Sequence, residues 1–541
     1  MSKFLRKFSS YSPKQSHIAL LGSNKILRGP ALTKHRGEYL NDYLKNNDFY
    51  QFLGTSTGIS AVNVVAGGKG RVGPYVGGWQ INAMKNRLQD TFPDTLHVAP
   101  EEPAQCAIEV NNHLNKATQI AHFNGEKYNY NDCALLADLE QGWSTPEKVR
   151  IAVKRAVENG INIIHIEDQG PYKRCGHLGD KELCPIDDYE IIMKSANFAA
   201  QEILGKQNAK KNWVRFVSRT DAFSAKRMLY SKNLENPKHI DNQFIDWNKG
   251  FSPDGKYVYI KQGFNPKTGK KWGLEMSCAR TAHIVKNGLA SHVWMETPDA
   301  ELQDAKDFLD GVNNILNKYD MNASGLYNHS PSFDWDIKFY QDAEELAQKI
   351  ITNLTHLNDP NSLRDFIQKN GNKIKGDQNW NTYTLKRLYY AVNDHKTHKD
   401  YSYLFGRKDY YTTLFQEQKF KKPYELICDE IVSQRLQNFE KQLASFGYNA
   451  HLITLPEYHV ISYNMFQLAN KFQKDGIHAY VTQVQRPERI LFENNKDYKY
   501  YKHQTTTGTG LEAYFNQVVG SSNSNILSDS TESDDLKKRN Q

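Results

Sequence analysis

The chain has 541 residues, and 39% of them are hydrophobic, so it can bury at least one large core. Its net charge of +8 comes from 69 basic and 61 acidic residues that alternate along most of the chain, which argues against a nucleic-acid binder with a basic stripe. No apolar run reaches the roughly 18 residues of a membrane span, and none follows Met1–Arg6 as a secretory signal requires, so we expect neither a membrane protein nor a secreted one.

The N-terminal residues 1–55 are predicted to form a helical arm. The first acidic residue is Glu38, and such a basic, Ser-containing start is typical of a mitochondrial transit segment or of a solvated arm. The cysteines are scattered and form no CxxC pair: Cys106, Cys133, Cys175, Cys184, Cys278 and Cys428. This usage indicates a reducing compartment. We therefore expect a cytoplasmic protein, with mitochondrial targeting as the less favoured alternative.

The clearest βαβ unit spans residues 133–168. Cys133–Asp138 is an apolar run that ends in an acid, and Ile161–Ile166 is a second run with β-branched residues. Between the runs, Ser144 and Glu147 have the spacing of a capping box at the start of a helix. The apolar residues that follow recur at helical spacing: Val149, Ala152, Val153, Ala156 and Val157.

The same alternation continues along the chain. It predicts strands at Val214–Ser218, His292–Met295, Gly325–Tyr327 and Ala450–Ile453, and helices at Tyr189–Leu204 and Ala300–Leu316. Polar residues follow strand after strand, as in a (β/α)8 barrel whose active site lies at the carboxyl ends of its strands. A doubly wound sheet gives similar local patterns, so periodicity alone leaves both folds open. The first part of the α/β fold is placed at residues 56–335.

Residues 336–447 differ in composition from the rest. They are rich in Lys, Asn and Tyr, and the pattern predicts helices such as Ala343–Leu357 and Tyr424–Phe446. We interpret this stretch as a helical subdomain inserted into the α/β fold. The last strand and helices are then expected within residues 448–541, ending in a Ser- and Asp-rich tail.

A cysteine in a basic loop is the strongest chemical signal. Cys175 is flanked by Lys173, Arg174 and His177, a positive field that favours the thiolate and makes proton exchange at neutral pH plausible. The alternative is an ordinary buried cysteine in a basic loop, which the three neighbours make less favoured.

A second signal is acidic. Asp94, Asp138, Glu140 and Glu167 are carboxylates without a nearby His or Cys in ligand spacing, and three of them follow two neighbouring predicted strands. Such a set suits a hard cation such as Mg²⁺ better than zinc. Any one of these acids could instead be a helix cap or a loop residue.

Weaker signals point to carboxylate binding. Asn328, Ser330 and Ser332 offer neutral donors at a strand end, although Ser-Pro-Ser is also ordinary turn chemistry. Arg219 follows a strand and can clamp a carboxylate with two hydrogen bonds, with a surface salt bridge as the alternative.

The order of these motifs resembles the isocitrate lyase family. The motifs are Gly77-Gly-Trp-Gln80, Phe92-Pro-Asp94, Ala137-Asp-Leu-Glu140, Ile166-Glu-Asp-Gln169, Lys173-Arg-Cys-Gly-His-Leu-Gly179, Ser218-Arg-Thr-Asp-Ala222, Val293-Trp-Met-Glu-Thr297, Tyr327-Asn-His-Ser-Pro-Ser-Phe333 and Leu452-Ile-Thr-Leu455. The resemblance covers residues 25–335 and 447–515. It implies a (β/α)8 barrel, usually a homotetramer, that cleaves the small molecule isocitrate to succinate and glyoxylate with Mg²⁺ or Mn²⁺.

The resemblance also implies roles for individual residues. Cys175 would protonate the succinate carbanion, His177 would orient it, and Tyr75 or Lys173 would remove the hydroxyl proton. Asp138 would hold the metal, with Asp94, Glu140 and Glu167 acting directly or through water. The substrate-binding residues would be Gly78, Trp79, Arg219, Glu296, Asn328, Ser330, Ser332 and Thr454.

Some positions depart from the family pattern. Gly77 removes a hydroxyl from the glyoxylate pocket, Arg174 is more typical of methylisocitrate lyases, and Leu452 stands where many isocitrate lyases have Phe. A methylene discriminates by only about 1–3 kcal/mol, so 2-methylisocitrate stays open as a substrate while isocitrate is favoured. From another class, a non-catalytic barrel used as a binding module is the further alternative, against which the intact Cys175 loop and acid set argue.

Overall fold

The computed structural model describes residues 27–85, 94, 99–123, 126–335, 423–495, 497–498, 503–509, 511–512 and 516. Its strands are β1 (Tyr50–Gly54), β2 (Val72–Val76), β3 (Leu136–Asp138), β4 (Ile163–Glu167), β5 (Glu182–Leu183), β6 (Arg215–Thr220), β7 (Arg227–Leu229), β8 (Tyr257–Tyr259), β9 (His292–Met295), β10 (Ser324–Asn328) and β11 (Tyr448–Ile453). Eight of them close into a parallel barrel in the order β1-β11-β10-β9-β6-β4-β3-β2. The predicted (β/α)8 barrel is confirmed, and the doubly wound alternative is wrong.

Helices connect the barrel strands and extend beyond the last one. They are Gly29–Leu44, Gly58–Gly68, Gly78–Met84, Glu102–Phe123, Pro146–Glu158, Ile186–Leu204, Asn208–Lys211, Trp272–Lys286, Leu302–Leu316, Pro423–Ser445, Pro456–Asp475, Ile477–Tyr480, Arg486–Asn494 and His503–Thr507. The helices predicted from Tyr189 and Ala300 both form, the first starting three residues earlier and the second two residues later.

The helix Pro146–Glu158 shows why this sequence forms a barrel unit. Its apolar face is fully buried against the strands, as the spacing predicted. Its N-cap, however, is Thr145, whose side chain accepts a hydrogen bond from the Lys148 N–H at 3.4 Å. The predicted capping box at Ser144 is therefore wrong, because Ser144 lies in the preceding short 3₁₀ turn with a positive φ of 57°.

The lower half of the barrel interior is an apolar layer. It is formed by Tyr50, Phe52, Leu136, Ile163, Val217, Trp294, Leu326, Ala450 and Leu452 among others. The helix Gly29–Leu44 contributes Leu40 to the same cluster. Because β1 begins at Tyr50, the assignment of all residues 1–55 to a helical arm is wrong for the last of them.

A small sheet, absent from the sequence prediction, stands beside the barrel. It has the order β5-β7-β8, and its core includes Leu183, Met228 and Val258. Its strands have two or three residues each, too short to give an alternating pattern in the sequence. Strand β5 follows the Cys175 loop directly, so this sheet fixes the end of that loop.

The chain forms two compact units, Met1–Pro331 with Phe446–Gln541, and Ser332–Ser445. In the described part of the second unit, helix Pro423–Ser445 agrees with the predicted helix, and Trp335 packs edge-on against Phe439 at 5.2 Å between ring centroids. The predicted helix Ala343–Leu357 and the tail from Ser521 lie outside the described residues.

The helices after β11 expose many apolar side chains. Among them are Val460 (58% exposed), Tyr463 (65%), Phe466 (71%) and Ile477 (68%). Within the described ranges, no helix has the length and apolar character needed to cross a membrane.

Candidate active site

The functional side chains gather where the barrel strands end. Tyr75 lies in β2, Asp138 ends β3, Glu167 ends β4 and Arg219 lies near the end of β6. The further predicted residues Glu296, Asn328 and Thr454 stand at or just after the ends of β9, β10 and β11. Residues far apart in sequence thus share one face because parallel strands bring their carboxyl ends to the same rim.

Three carboxylates of this face form a compact cluster. Asp94, Asp138 and Glu140 are buried, and each offers an oxygen within 4.8 Å of the others. Asp138 Oδ2 accepts a hydrogen bond from the Gly78 N–H at 3.1 Å, and Asp138 Oδ1 accepts one from the Glu140 N–H at 2.8 Å. Asp94 and Glu140 both have positive φ values, 60° and 54°, and such backbone strain is found most often at functional sites.

The site holds more negative than positive groups. Its buried carboxylates are Asp94, Asp138, Glu140, Glu167, Asp221 and Glu296, and the buried cations paired with them are Lys173, Lys181 and Arg219. Burial raises the pKa of Glu167 well above its usual value, with Arg219 opposing the shift and the neighbouring acids Asp221, Asp138 and Asp94 adding to it. An all-oxygen donor set with uncompensated negative charge fits a hard divalent cation.

The predicted metal residues are therefore brought together, with Lys173 among them. The Lys173 ammonium contacts Glu140, lies 2.6 Å from Asp94 Oδ1 and lies 3.3 Å from Glu167 Oε1. Burial opposes ionisation of Asp138, but the basic side chains around it and the Gly78 N–H hold the pKa of this carboxyl below its usual value. Asp138 is thus a charged carboxylate at neutral pH.

Tyr75 is buried between the acid cluster and a histidine. Its hydroxyl lies 3.1 Å from His165 Nε2 and 3.5 Å from Asp138 Oδ2. Burial raises the pKa of Tyr75 well above its usual value and lowers the pKa of His165 to about 4. At neutral pH the phenol is therefore protonated and the imidazole is neutral, so the Tyr75 hydroxyl can donate a hydrogen bond to His165 Nε2.

Cys175 lies in a half-buried position in the loop after β4. Burial raises the pKa of its thiol to about 12, helped by Asp94 and Glu296 and opposed by the His177 N–H and Arg219. The prediction that basic neighbours favour a thiolate is wrong. Arg174 is exposed and the Lys173 ammonium is turned into the carboxylate cluster, so neither charge acts mainly on the sulfur. A protonated thiol is the form that a catalytic acid needs.

Glu296 connects three of the predicted residues. His177 Nε2 lies 3.3 Å from Glu296 Oε1, and Arg219 Nη2 lies 3.2 Å from Glu296 Oε2. Asn328 Nδ2 donates to Glu296 Oε1 at 3.4 Å. Arg219 also pairs with Glu167 at 2.9 Å and stacks on Trp294, so it is a buried part of this network and the surface salt-bridge alternative is wrong.

Gly78 and Trp79 begin the short helix beside the acid cluster. A Cβ at Gly78 would collide with the Glu140 carboxylate, which explains the glycine. Trp79 packs edge-on against Tyr458 at 5.3 Å between ring centroids. Ser330 is buried and Thr454 half-buried near the strand ends, whereas Ser332 belongs to the second compact unit.

The chain resembles known proteins over most of its length. No family model matches the chain. The chain is 26% identical over 528 residues to an isocitrate lyase of Halalkalibacterium halodurans, covering 96% of this chain and 92% of that protein. It is 25% identical over 506 residues to isocitrate lyase 1 of Mycobacterium tuberculosis, covering 93% and 87%.

The chain is similar to isocitrate lyases over most of its length.

Solved structures resemble this chain at lower sequence identity. A phosphoenolpyruvate phosphomutase from Streptomyces platensis aligns with a TM-score of 0.44 and 10% identity, over 89% of this chain and 98% of that one. An oxaloacetate acetylhydrolase in complex with 3,3-difluorooxalacetate aligns with a TM-score of 0.41 and 13% identity, over 86% and 98%.

Several residues of this chain contribute to the site but were not predicted. His165 contacts Tyr75, Lys181 and Asp221 form a buried pair at 2.8 Å, and Glu457 accepts hydrogen bonds from the Ser56 and Thr57 hydroxyls. A signal for His165 was available. It is one of two polar residues inside the apolar run Ile161–Ile166, the other being Asn162. His165 lies two positions before Glu167, so the His165 and Glu167 side chains face the same side of β4.

Proposed function

We propose that this chain is an isocitrate lyase that cleaves isocitrate to succinate and glyoxylate with Mg²⁺ bound at Asp138, Asp94 and Glu140. The observation that carries the proposal is the buried, negatively charged carboxylate cluster beside a loop that presents a protonated cysteine. Retro-aldol cleavage of a hydroxy acid needs both groups, since one binds the cation and the other supplies a proton. When bound, the cation offsets negative charge on the hydroxycarboxylate and on the nascent glyoxylate.

The remaining steps fall to side chains of the chain. A base removes the C2 hydroxyl proton, the C2–C3 bond breaks to give the glyoxylate aldehyde, and the electron pair passes to the succinate fragment. Cys175 then gives its Sγ proton to that carbanion, and solvent reprotonates the thiolate. A thiol pKa near 12 is compatible with this role, because the carbanion is a far stronger base.

Two groups can act as the base. Tyr75, whose hydroxyl lies 3.1 Å from His165 Nε2, is one candidate, and it can act as a base only in its deprotonated form. Lys173 lies among the carboxylates that would hold the cation, and so close to the reacting hydroxyl. The network of Arg219, Glu296 and Asn328 supports their role in binding the substrate carboxylates, with Ser330 and Thr454 as neutral donors.

The decisive measurement follows glyoxylate release from isocitrate and pyruvate release from 2-methylisocitrate with Mg²⁺, in parallel. We expect turnover of isocitrate and release of glyoxylate. Arg174, whose identity is more typical of methylisocitrate lyases, is exposed, so it does not shape the pocket. Preferential cleavage of 2-methylisocitrate to pyruvate and succinate would establish the alternative, and inactivity on both would favour a binding module.

We also propose a homotetramer in a reducing, cytoplasmic setting. The apolar residues exposed on helices Pro456–Asp475 and Arg486–Asn494 support association, since contiguous apolar surface of this kind usually marks an interface. Cys106, Cys133, Cys175, Cys184 and Cys278 are free, as expected in a reducing compartment. Light scattering that gives a monomeric mass at micromolar concentration would contradict the oligomer.

A further inference from the structure

The loop that carries Cys175 is fixed at its base and exposed at its crest. Backbone hydrogen bonds from Gly170 N to Glu182 O (2.8 Å) and from Cys184 N to Asp168 O (3.1 Å) close its two ends. At the crest, Tyr172 is 67% exposed and Leu178 is 56% exposed. The base alone therefore does not determine where the Cys175 sulfur lies.

Two side chains outside the crest hold the backbone on either side of Cys175. Gln169 pairs with Arg174, accepting from its N–H at 3.0 Å and donating to its carbonyl at 2.9 Å. On the other side, Lys181 Nζ donates to the Gly176 carbonyl at 2.6 Å. The Arg174 carbonyl before Cys175 and the Gly176 carbonyl after it are thus each held by a buried side chain.

The Lys181 contact is built at some energetic cost. The ammonium is 1% exposed, and burying a charge is unfavourable unless it is paired and hydrogen-bonded. Its partner is Asp221 at 2.8 Å. Asp221 is held in turn by Asp168, which accepts from the Asp221 N–H at 2.9 Å and from Arg280 Nε at 2.8 Å. The anchor of Lys181 is therefore rigid and continuous with the barrel rim.

Close packing limits where the loop can sit. A Cβ at Gly176 would lie 2.6 Å from Arg219 Nη2 and 2.6 Å from Glu296 Cγ, so the loop backbone rests directly on the network that binds His177. We propose that Lys181 is a positioning residue that holds the Gly176 carbonyl and thereby sets the Cys175 thiol against the substrate. This rests on the proposed lyase function, but the contact itself can be tested without it.

The test compares Lys181→Met and Lys181→Gln with Lys306→Met, which removes an exposed ion pair with Asp310. Loss of a residue that orients a reactive group typically costs about 10–100-fold in activity. We expect kcat to fall by that factor in both Lys181 variants with KM within about threefold, and Mn²⁺ affinity unchanged. Lys306→Met should match the wild type. Glutamine is too short to reach the Gly176 carbonyl but can still bond Asp221, so it keeps the test available if the methionine variant does not fold.

Alkylation of Cys175 by iodoacetamide, followed by peptide mass spectrometry, is independent of turnover. We expect at least a fivefold change in its rate in the Lys181 variants. Unchanged kcat and unchanged alkylation in a folded variant would overturn the role of Lys181 and leave the proposed lyase function intact. Inactivity of the wild type on isocitrate would instead refute the proposed function, while the alkylation rates would still decide the positioning role.

Discussion

The substitution Gly78→Ala tests whether the carboxylate cluster is the functional centre. The new Cβ would lie 2.8 Å from Glu140 Cδ and 3.1 Å from Asp138 Oδ2, and closer still to Glu140 Oε1. Since non-bonded carbons prefer separations of about 3.5–4.0 Å, the Glu140 carboxylate must move by roughly 1 Å. A displacement of that size costs on the order of 10²-fold in rate, equivalent to about 2.7 kcal/mol of transition-state stabilisation.

The same substitution elsewhere provides a matched control. Gly67 lies in the helix Gly58–Gly68, is exposed, and has no atom within 4 Å of an added Cβ. Gly67→Ala should therefore keep full activity and raise the free energy of unfolding by about 0.5–1 kcal/mol. Mn²⁺ titration followed by electron paramagnetic resonance, together with glyoxylate release, measures both variants. Gly78→Ala with wild-type Mn²⁺ affinity and activity within threefold would refute the metal assignment.

Further predictions concern the acid, the metal, pH and the second unit. Cys175→Ser should abolish turnover but keep the fold and metal binding, because a hydroxyl is a far poorer proton donor; substantial residual activity would remove Cys175 from the mechanism. Asp138→Asn should weaken metal binding and activity, which excess Mg²⁺ partly restores, whereas full wild-type activity after exhaustive chelation would show that no metal is needed. Burial lowers the pKa of His292 to about 3, so the unfolded state binds its proton first and stability should fall as the pH drops below about 6.5. The free energy of unfolding of His292→Asn, measured with urea at a series of pH values, should depend on pH less steeply than that of the wild type, by up to about 1.4 kcal/mol per pH unit. An unchanged pH dependence would contradict the buried neutral imidazole. Replacing roughly residues 345–440 with a short linker should leave kcat within about threefold, because loop closure entropy depends weakly on length; loss of chemistry in a stable oligomer would show that the segment serves the active site.

The strands that the sequence revealed share one property. β3, β4, β6 and β9 are buried on both faces along their whole length, and each contains adjacent apolar residues that stand out without an alignment. Strand β2 was missed because it contains Gly73 and Pro74, residues that normally argue against a central strand. Its place is set by the closure of the barrel between β1 and β3, which no local pattern encodes.

The candidate site divides in the same way. Its carboxylates were recognisable because they follow apolar runs, and the strand ends bring them together. The environment of Cys175 was not recognisable, because the residues next to it in the sequence show which charges are present but not whether the thiol is buried or where those charged side chains point. Asp94 and Glu296, distant in sequence, raise the pKa of the thiol, while adjacent Arg174 is exposed. Lys181 was not predicted for a related reason. Its position depends on a hydrogen bond to Asp221, which lies 40 positions away in the sequence.

The two ends of the barrel have opposite energetic characters. The lower layer is apolar, with Tyr50, Phe52 and Trp294 packed in one cluster to which helix Gly29–Leu44 adds Leu40. The upper rim holds more buried carboxylates than cations and strained backbone at Asp94 and Glu140, and both features oppose folding. Burial of the apolar layer does not depend on the rim, so it can offset this cost. A cation bound at the rim, as proposed above, would offset part of its excess negative charge.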